Sequence, residues 1–182
     1  MKILAIAGSL RKDSFNRQLA LSAKELMKDR AEIEILDYSS VPLLNQDIEF
    51  PAPEAVAEVR RKISEADGIW FFSPEYNHAV PGVLKNLIDW MSRPAGQNQP
   101  HVLGGKPVAL SGITPGMSGT GIAQDQLITL LSFLNMKIMN VPRLTIPHAG
   151  SQAEGDRLVL KESLPYLEKQ AKAFITFIET TK

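Results

Sequence analysis

Three short stretches of this 182-residue chain carry residue types able to grip an anion or a flat ring. Residues 8–17, Gly-Ser-Leu-Arg-Lys-Asp-Ser-Phe-Asn-Arg, offer the Arg11 and Arg17 guanidinium groups, the hydroxyls of Ser9 and Ser14, the Asn16 amide and the backbone N–H groups around Phe15. Those are the parts of a phosphate site, although the spacing matches neither GxGxxG nor GxxxxGK(S/T). The plainer reading is that Ser14 caps a helix and Arg11 is a solvated charge. Residues 73–82, Ser-Pro-Glu-Tyr-Asn-His-Ala-Val-Pro-Gly, use Pro74 and Pro81 to fix a turn, with Tyr76 and Asn77 placed where a planar ligand would lie. A rigid loop of this kind aims N–H groups at ring heteroatoms; its plainer reading is an ordinary turn with Asn77 bonded locally. His78 invites an acid–base role, but a lone loop histidine with no evident carboxylate partner reads as a rim residue, and Glu75 fares no better. Residues 111–121, Ser-Gly-Ile-Thr-Pro-Gly-Met-Ser-Gly-Thr-Gly, place Thr114 and Gly116 in a stretch whose glycines let backbone approach a ligand closely or simply make turns.

The elements that must position these loops alternate along the chain. Apolar runs at 3–7, 68–72 and 108–113 read as strands, 32–38 as a strand with acidic and apolar residues in turn, and 137–146 as a fifth strand. Amphipathic stretches at 14–29, 54–66, 81–92 and 121–134 read as helices, and the remainder to 182 as mostly helix with Pro165 near its start. Strict alternation of strand and helix predicts one α/β domain over 1–182, a three-layer sandwich around a five-stranded parallel sheet. Continuous apolar strands belong at the centre of such a sheet. Glu32 and Glu34 put the second strand at one edge, and Pro142 puts the fifth at the other. The order is therefore 2-1-3-4-5, the flavodoxin-like arrangement, rather than 3-2-1-4-5, which would bury the glutamates. All three loops then leave the carboxyl ends of adjacent strands, where ligands bind in open α/β sheets. A phosphate loop beside two loops suited to a ring implies a mononucleotide with a large planar head, a description that FMN fits.

Composition narrows the chemistry. There is no cysteine, which excludes disulfides, thiol catalysis and thiolate metal sites. His78, His101 and His148 lack ligand spacing, so no metal site is expected. Twenty basic residues balance twenty acidic ones, which argues against a nucleic-acid partner. No apolar run approaches the roughly 20 residues of a membrane span, and the amino terminus lacks a cleavage pattern, so a cytoplasmic place with no membrane contact is expected.

The residues 8–16, Pro-Glu-Tyr-Asn at 74–77 and Val-Pro-Gly-Val-Leu-Lys-Asn-Leu-Ile-Asp-Trp at 80–90 closely resemble the NADPH-dependent FMN reductase family, which includes quinone, chromate and azo-dye reductases. The resemblance implies that Arg11, Ser14, Asn16 and neighbouring backbone bind the FMN phosphate with Ser9 close by. It implies that Glu75, Tyr76, Asn77 and His78 line the isoalloxazine, and that Thr114 and the glycines after it form a third flavin loop. The proline in Thr114-Pro115-Gly116-Met117 departs from the usual pattern. The family also implies a homodimer or homotetramer, with residues 81–92 and 93–104 as the contact; Trp90 reads instead as core.

On that resemblance the flavin carries the chemistry, which agrees with the absence of a catalytic triad. NADPH or NADH gives a hydride to flavin N5 and leaves, and a small-molecule acceptor takes its place: a quinone, free flavin, azo compound or oxidised metal. Arg17, Lys85 and Arg93 are the cations of a type to meet a 2′-phosphate. The rivals are a flavodoxin-like electron carrier, which is usually strongly acidic, a receiver domain, which needs an acidic cluster absent from the ends of strands one and three, and a flavin-binding regulatory or interaction protein without its own NAD(P)H turnover.

Overall fold

The computed structural model describes residues 1–96 and 98–181. Gln97, inside the segment expected to meet a partner subunit, and Lys182 lie outside the described residues. The strands are β1 (Lys2–Ala7), β2 (Glu32–Ile35), β3 (Gly68–Phe72), β4 (Pro107–Ile113), β5 (Lys137–Ile138) and β6 (Leu144–Ile146). The helices between and after them are α1 (Phe15–Met27), α2 (Glu54–Glu65), α3 (Gly82–Met91), α4 (Gly121–Phe133) and α5 (Leu164–Thr181). These six strands form one sheet whose pairs are all parallel, in the order β2-β1-β3-β4-β5, with β6 also on β4.

Alternate residues of the central strands feed two cores. Leu4, Ile6, Ile69, Phe71, Val108 and Leu110 pack with Val59 and Ile63 of α2, Leu84, Leu87 and Trp90 of α3, and Leu127 and Leu131 of α4. Ile3, Ala5, Trp70, Phe72 and Ala109 pack with Leu19 and Ala23 of α1 and Leu167, Phe174 and Ile178 of α5 on the other face. The period of two in the strands and 3.6 in the helices produces the three layers. Trp90 is core, and its indole N–H donates to the Pro42 carbonyl at 2.8 Å.

Two expectations need correction. The fifth strand is not continuous over 137–146: β5 and β6 both pair with β4, at opposite ends, and after the Met139 N–H has donated to the Val108 carbonyl at 2.9 Å the chain leaves the ladder until Leu144. Pro142, in that gap, has no N–H to give a ladder, and its carbonyl accepts from Gln170 Nε2 of α5 at 3.0 Å instead. Nor is the stretch before α5 helical. A 3-10 turn (Ala149–Gln152) leads into an antiparallel hairpin, β7 (Ala153–Glu154) and β8 (Arg157–Leu158), whose tip carries Gly155 at φ 62°.

Candidate active site

The first loop leaves β1 against the end of β3, where the Gly8 N–H donates to the Phe72 carbonyl at 2.8 Å. A Cβ on Gly8 would stand 2.8 Å from Ser73 Oγ and 3.1 Å from Pro74 Cδ, so glycine is what lets the first two loops touch. Ser9 is buried; its Oγ accepts from the Arg11 N–H at 3.3 Å and from the Tyr76 hydroxyl at 3.4 Å. Ser14 caps α1, accepting from the Arg17 N–H at 3.4 Å. The N–H groups of Phe15 and Asn16 open the first turn, where no intrahelical acceptor exists for them. The ring of Phe15 turns away and packs on the α1–α5 core.

Asn16 is deployed differently from a free phosphate ligand. Its side chain is buried, with Nδ2 donating to the Ile113 carbonyl at 2.9 Å and Oδ1 accepting from the Ile113 N–H at 3.0 Å. The amide thus continues the sheet one step beyond β3 and fixes α1 to the end of β4. Arg11 is exposed and forms an ion pair with Asp156 at the β7–β8 tip. That hairpin is held by Gln18, which donates to the Asp156 carbonyl at 2.7 Å and accepts from the Leu158 N–H at 2.8 Å.

Arg11, Lys12 and Arg17 border a cleft of about 360 Å³ that also takes in Ser9, Asp37, Tyr38 and Ser39. Hydrogen bonds from Ser39, then the charges of Lys62 and Arg17, hold the Asp37 carboxyl below the usual range. Burial, with Tyr76 nearby, raises the Tyr38 phenol, whose hydroxyl donates to the Ala7 carbonyl at 2.6 Å.

The second and third loops are joined by one carboxylate. The Glu75 side chain is only 4% exposed. Its Oε1 accepts from the Ser118 hydroxyl at 2.7 Å, and its Oε2 accepts from the Ala123 N–H at the start of α4 at 3.0 Å. Burial would raise its pKa, but the hydrogen bonds from Ala123, Ser118 and His78 together carry it below the ordinary glutamate value. Gln126 of α4 adds two more ties, donating to the His78 carbonyl at 2.9 Å and accepting from the Val80 N–H at 3.2 Å.

Between those ties Tyr76 and Ala79 exchange both backbone bonds, at 3.2 and 3.0 Å, around Asn77 at φ 51° and His78 at φ 58°. Two positive φ values at the centre of a two-residue hairpin are the signature of a type I′ turn. Asn tolerates that conformation and His does so less readily. Tyr76, Asn77 and His78 are exposed, as are Leu10, Gly116 and Met117. Pro74 is buried beneath them.

The backbone of Thr114 is taken up by the β6 side: its N–H donates to the Ile146 carbonyl and its carbonyl accepts from the Ala149 N–H, both at 3.0 Å. Gly116 has nothing within 4 Å of where a Cβ would stand, so its position opens into space. Gly112 is the opposite case, with an added Cβ 2.2 Å from Thr120 Oγ1 and 2.3 Å from the Ser73 carbonyl oxygen.

The sheet therefore brings Ser9, Ser14, the Phe15 and Asn16 N–H groups, Tyr76, Asn77, His78, Thr114 and Gly116 to one end. The side chains of Glu75 and Asn16 serve as struts behind that surface. Ser118, Gln126, Gln18 and Asp156 were not foreseen: each acts across more than 40 positions of sequence or through a hairpin that no periodicity announces. His78 also has the carboxylate partner the sequence did not reveal, with Nδ1 3.3 Å from Glu75 Oε1. The residues fit FMN: buried hydroxyls and helix N–H groups suit a phosphate, and an exposed aromatic turn beside a glycine opening into space suits a flat ring.

Known proteins resemble this chain in sequence and in fold. The family model for NADPH-dependent FMN reductase matches residues 1–151. A 2-hydroxy-1,4-benzoquinone reductase from Burkholderia sp. is 39% identical over 169 residues, covering 92% of this chain and 91% of its own length. An NAD(P)H-dependent FMN reductase of Pseudomonas aeruginosa is 39% identical over 176 residues, covering 95% of this chain and 92% of its own. Among solved structures, the flavoenzyme FerB, an NAD(P)H:acceptor oxidoreductase from Paracoccus denitrificans, superposes with a TM-score of 0.87 at 33% identity, covering 99% of this chain and 98% of its own. The loops, the strand order and these matches together make the chain a member of the NADPH-dependent FMN reductase family.

Proposed function

We propose that this chain holds FMN across its three loops and passes two electrons from NAD(P)H to a quinone, donor and acceptor using the same face in turn. The observation that carries the reading is the joining of the second loop to the third by Glu75 and to α4 by Glu75 and Gln126, next to a phosphate-type first loop. Ser9, Ser14, Arg11 and the N–H groups of Phe15 and Asn16 would hold the phosphate. The ring would rest against Tyr76, Asn77 and His78, with the stretch from Thr114 through Gly116 on its other border. Bound FMN supplies the hydride chemistry. The protein's part is to fix the ring, limit water and direct loop N–H groups at charge that builds up on reduction.

A quinone acceptor draws support from the relatives' names. For the 2′-phosphate of NADPH, Arg17 is the leading candidate. Arg93 is bonded to Glu49 and Lys85 to Asp89, whereas Arg17 makes no ion pair among the described residues and borders the cationic cleft. Self-association through α3 and residues 93–104, and a cytoplasmic place, complete the reading; among the described residues no helix is long and apolar enough to cross a membrane.

The test is an absorption spectrum of the purified protein, incubated with FMN and then reduced with NADPH without oxygen. Flavin bands that bleach on NADPH and return on adding a benzoquinone are expected. A protein that binds no flavin overturns the reading. Bands that persist with both NADPH and NADH favour an electron carrier or a flavin-binding regulator.

A further inference from the structure

His78 combines three features that a rim residue does not need. Its backbone occupies the left-handed region, φ 58°, at a position where glycine or asparagine sits more easily, and strain of this kind gathers at functional sites. Its Nδ1 stands 3.3 Å from a carboxylate that is almost fully covered. Its own side chain is 75% exposed, on the same turn as Tyr76 and Asn77. The Glu75 carboxylate, held below its ordinary pKa, can only accept, so this contact favours the tautomer with its proton on Nδ1. Nε2 is then the nitrogen that exchanges protons at the surface where substrates arrive.

The other groups around the imidazole do not compete for that role. From its own turn, Tyr76 bonds to Ser9. From the third loop, Ser118 donates to Glu75. From α4, Gln126 is neutral and binds the His78 carbonyl, while Asp125 is paired with Arg143. Glu75 is the one charged group in ion-pair contact with His78 among the described residues.

Resting on the quinone-reductase reading above, we propose that His78, oriented by Glu75, is the proton donor to the quinone during its reduction. A quinone becomes a hydroquinone by taking two electrons and one hydrogen as hydride, plus one proton. The hydride closes one carbonyl to a hydroxyl, and the electron pair displaced through the ring leaves the second oxygen as a phenolate. The imidazolium Nε2–H bond breaks, its proton forms the second O–H, and the neutral imidazole regains a proton from water. Glu75 is a positioning residue here: it touches no substrate and fixes which nitrogen works.

The experiment uses the FMN-loaded protein, reduced by NADPH without oxygen and mixed with 1,4-benzoquinone in a stopped-flow instrument from pH 5 to 9. Ferricyanide, which takes electrons without a proton, is the reference acceptor. Asn is the replacement because it keeps the left-handed turn. For H78N, the quinone-to-ferricyanide rate ratio at acidic pH is expected to fall roughly 10- to 100-fold, at or below the usual range for a general acid because water competes at an exposed group. The pH dependence of that ratio is expected to vanish with it. E75Q is expected to lower the ratio less. A second readout needs no turnover: the His78 imidazole nitrogen resonances of flavin-free protein should report the neutral ring's proton on Nδ1, a preference that E75Q removes. An H78N ratio that keeps its wild-type size and pH profile overturns the proposal alone. A wild type whose flavin NADPH does not reduce overturns the reading beneath it as well.

Discussion

Replacing Asn16 by alanine separates two jobs that one side chain was expected to share. In the structure its amide satisfies both the N–H and the carbonyl of Ile113, at 3.0 and 2.9 Å, in a position closed to solvent. Alanine leaves both backbone groups buried and unpaired, at about 1–3 kcal/mol each. Taking about 3 kcal/mol for the pair, the melting temperature of a domain this size falls by roughly 6–12 °C. The loss must appear in flavin-free protein, because the partners of the amide lie in the sheet. The assay is thermal unfolding by circular dichroism without FMN, beside an FMN titration followed by flavin fluorescence. N16A is expected to lose stability in full and to bind FMN more weakly only as far as α1 and β4 lose their registration. A flavin-free melting point within about 2 °C of wild type, roughly a 1 kcal/mol change at most, together with a large loss of FMN affinity, would refute this reasoning and return Asn16 to the phosphate.

Arg11→Ala should weaken FMN binding roughly 10- to 100-fold in the same titration, the value of a charge-assisted bond of about 1.5–3 kcal/mol, while the melting point of flavin-free protein barely moves because the Asp156 pair is exposed. Gly112→Ala should destabilise by about 1–3 kcal/mol or more, read as lost soluble yield or a lower melting point, since its Cβ meets the rigid Ser73 carbonyl as well as Thr120. Glu75 has a folded pKa below its unfolded value, so its contribution to stability is complete above about pH 5 and is lost as pH falls below about 4.3 toward the lowered value. The stability difference between wild type and E75Q, measured by urea unfolding, should therefore shrink between pH 6 and pH 3, and a difference that does not change with pH would contradict the assignment.

The order of the sheet was legible because single residues carried it. Glu32 and Glu34 belong on an edge, where the second of them meets Lys2 and Lys62, and Pro142 cannot serve a central ladder. The three loops were legible for the same reason, since chain order and strand order together decide which connections share an end of the sheet. The break within the fifth strand was not legible, because 137–146 is apolar enough to be one strand and only the Gln170 bond to Pro142 reveals what the gap does. The β7–β8 hairpin was hidden by its length of two residues a side, too short for any period. At the site, residue type announced a polar surface but not direction. Asn16 and Glu75 look like ligands in sequence and act as struts in space, because their partners, Ile113, Ser118 and Ala123, lie 43 to 97 positions away.

The ties that hold the second loop have a consequence for how such a site can change. Gln126 grips the His78 carbonyl and the Val80 N–H, and Glu75 grips the Ala123 N–H, so the loop is fastened mainly through peptide groups that every sequence possesses. The outward side chains of Tyr76, His78 and Met117 carry little of that fastening. They form a replaceable veneer on a fixed frame, and a descendant of this chain can exchange them to suit a different electron acceptor, freely at Tyr76 and Met117 and, at position 78, within what the left-handed backbone admits.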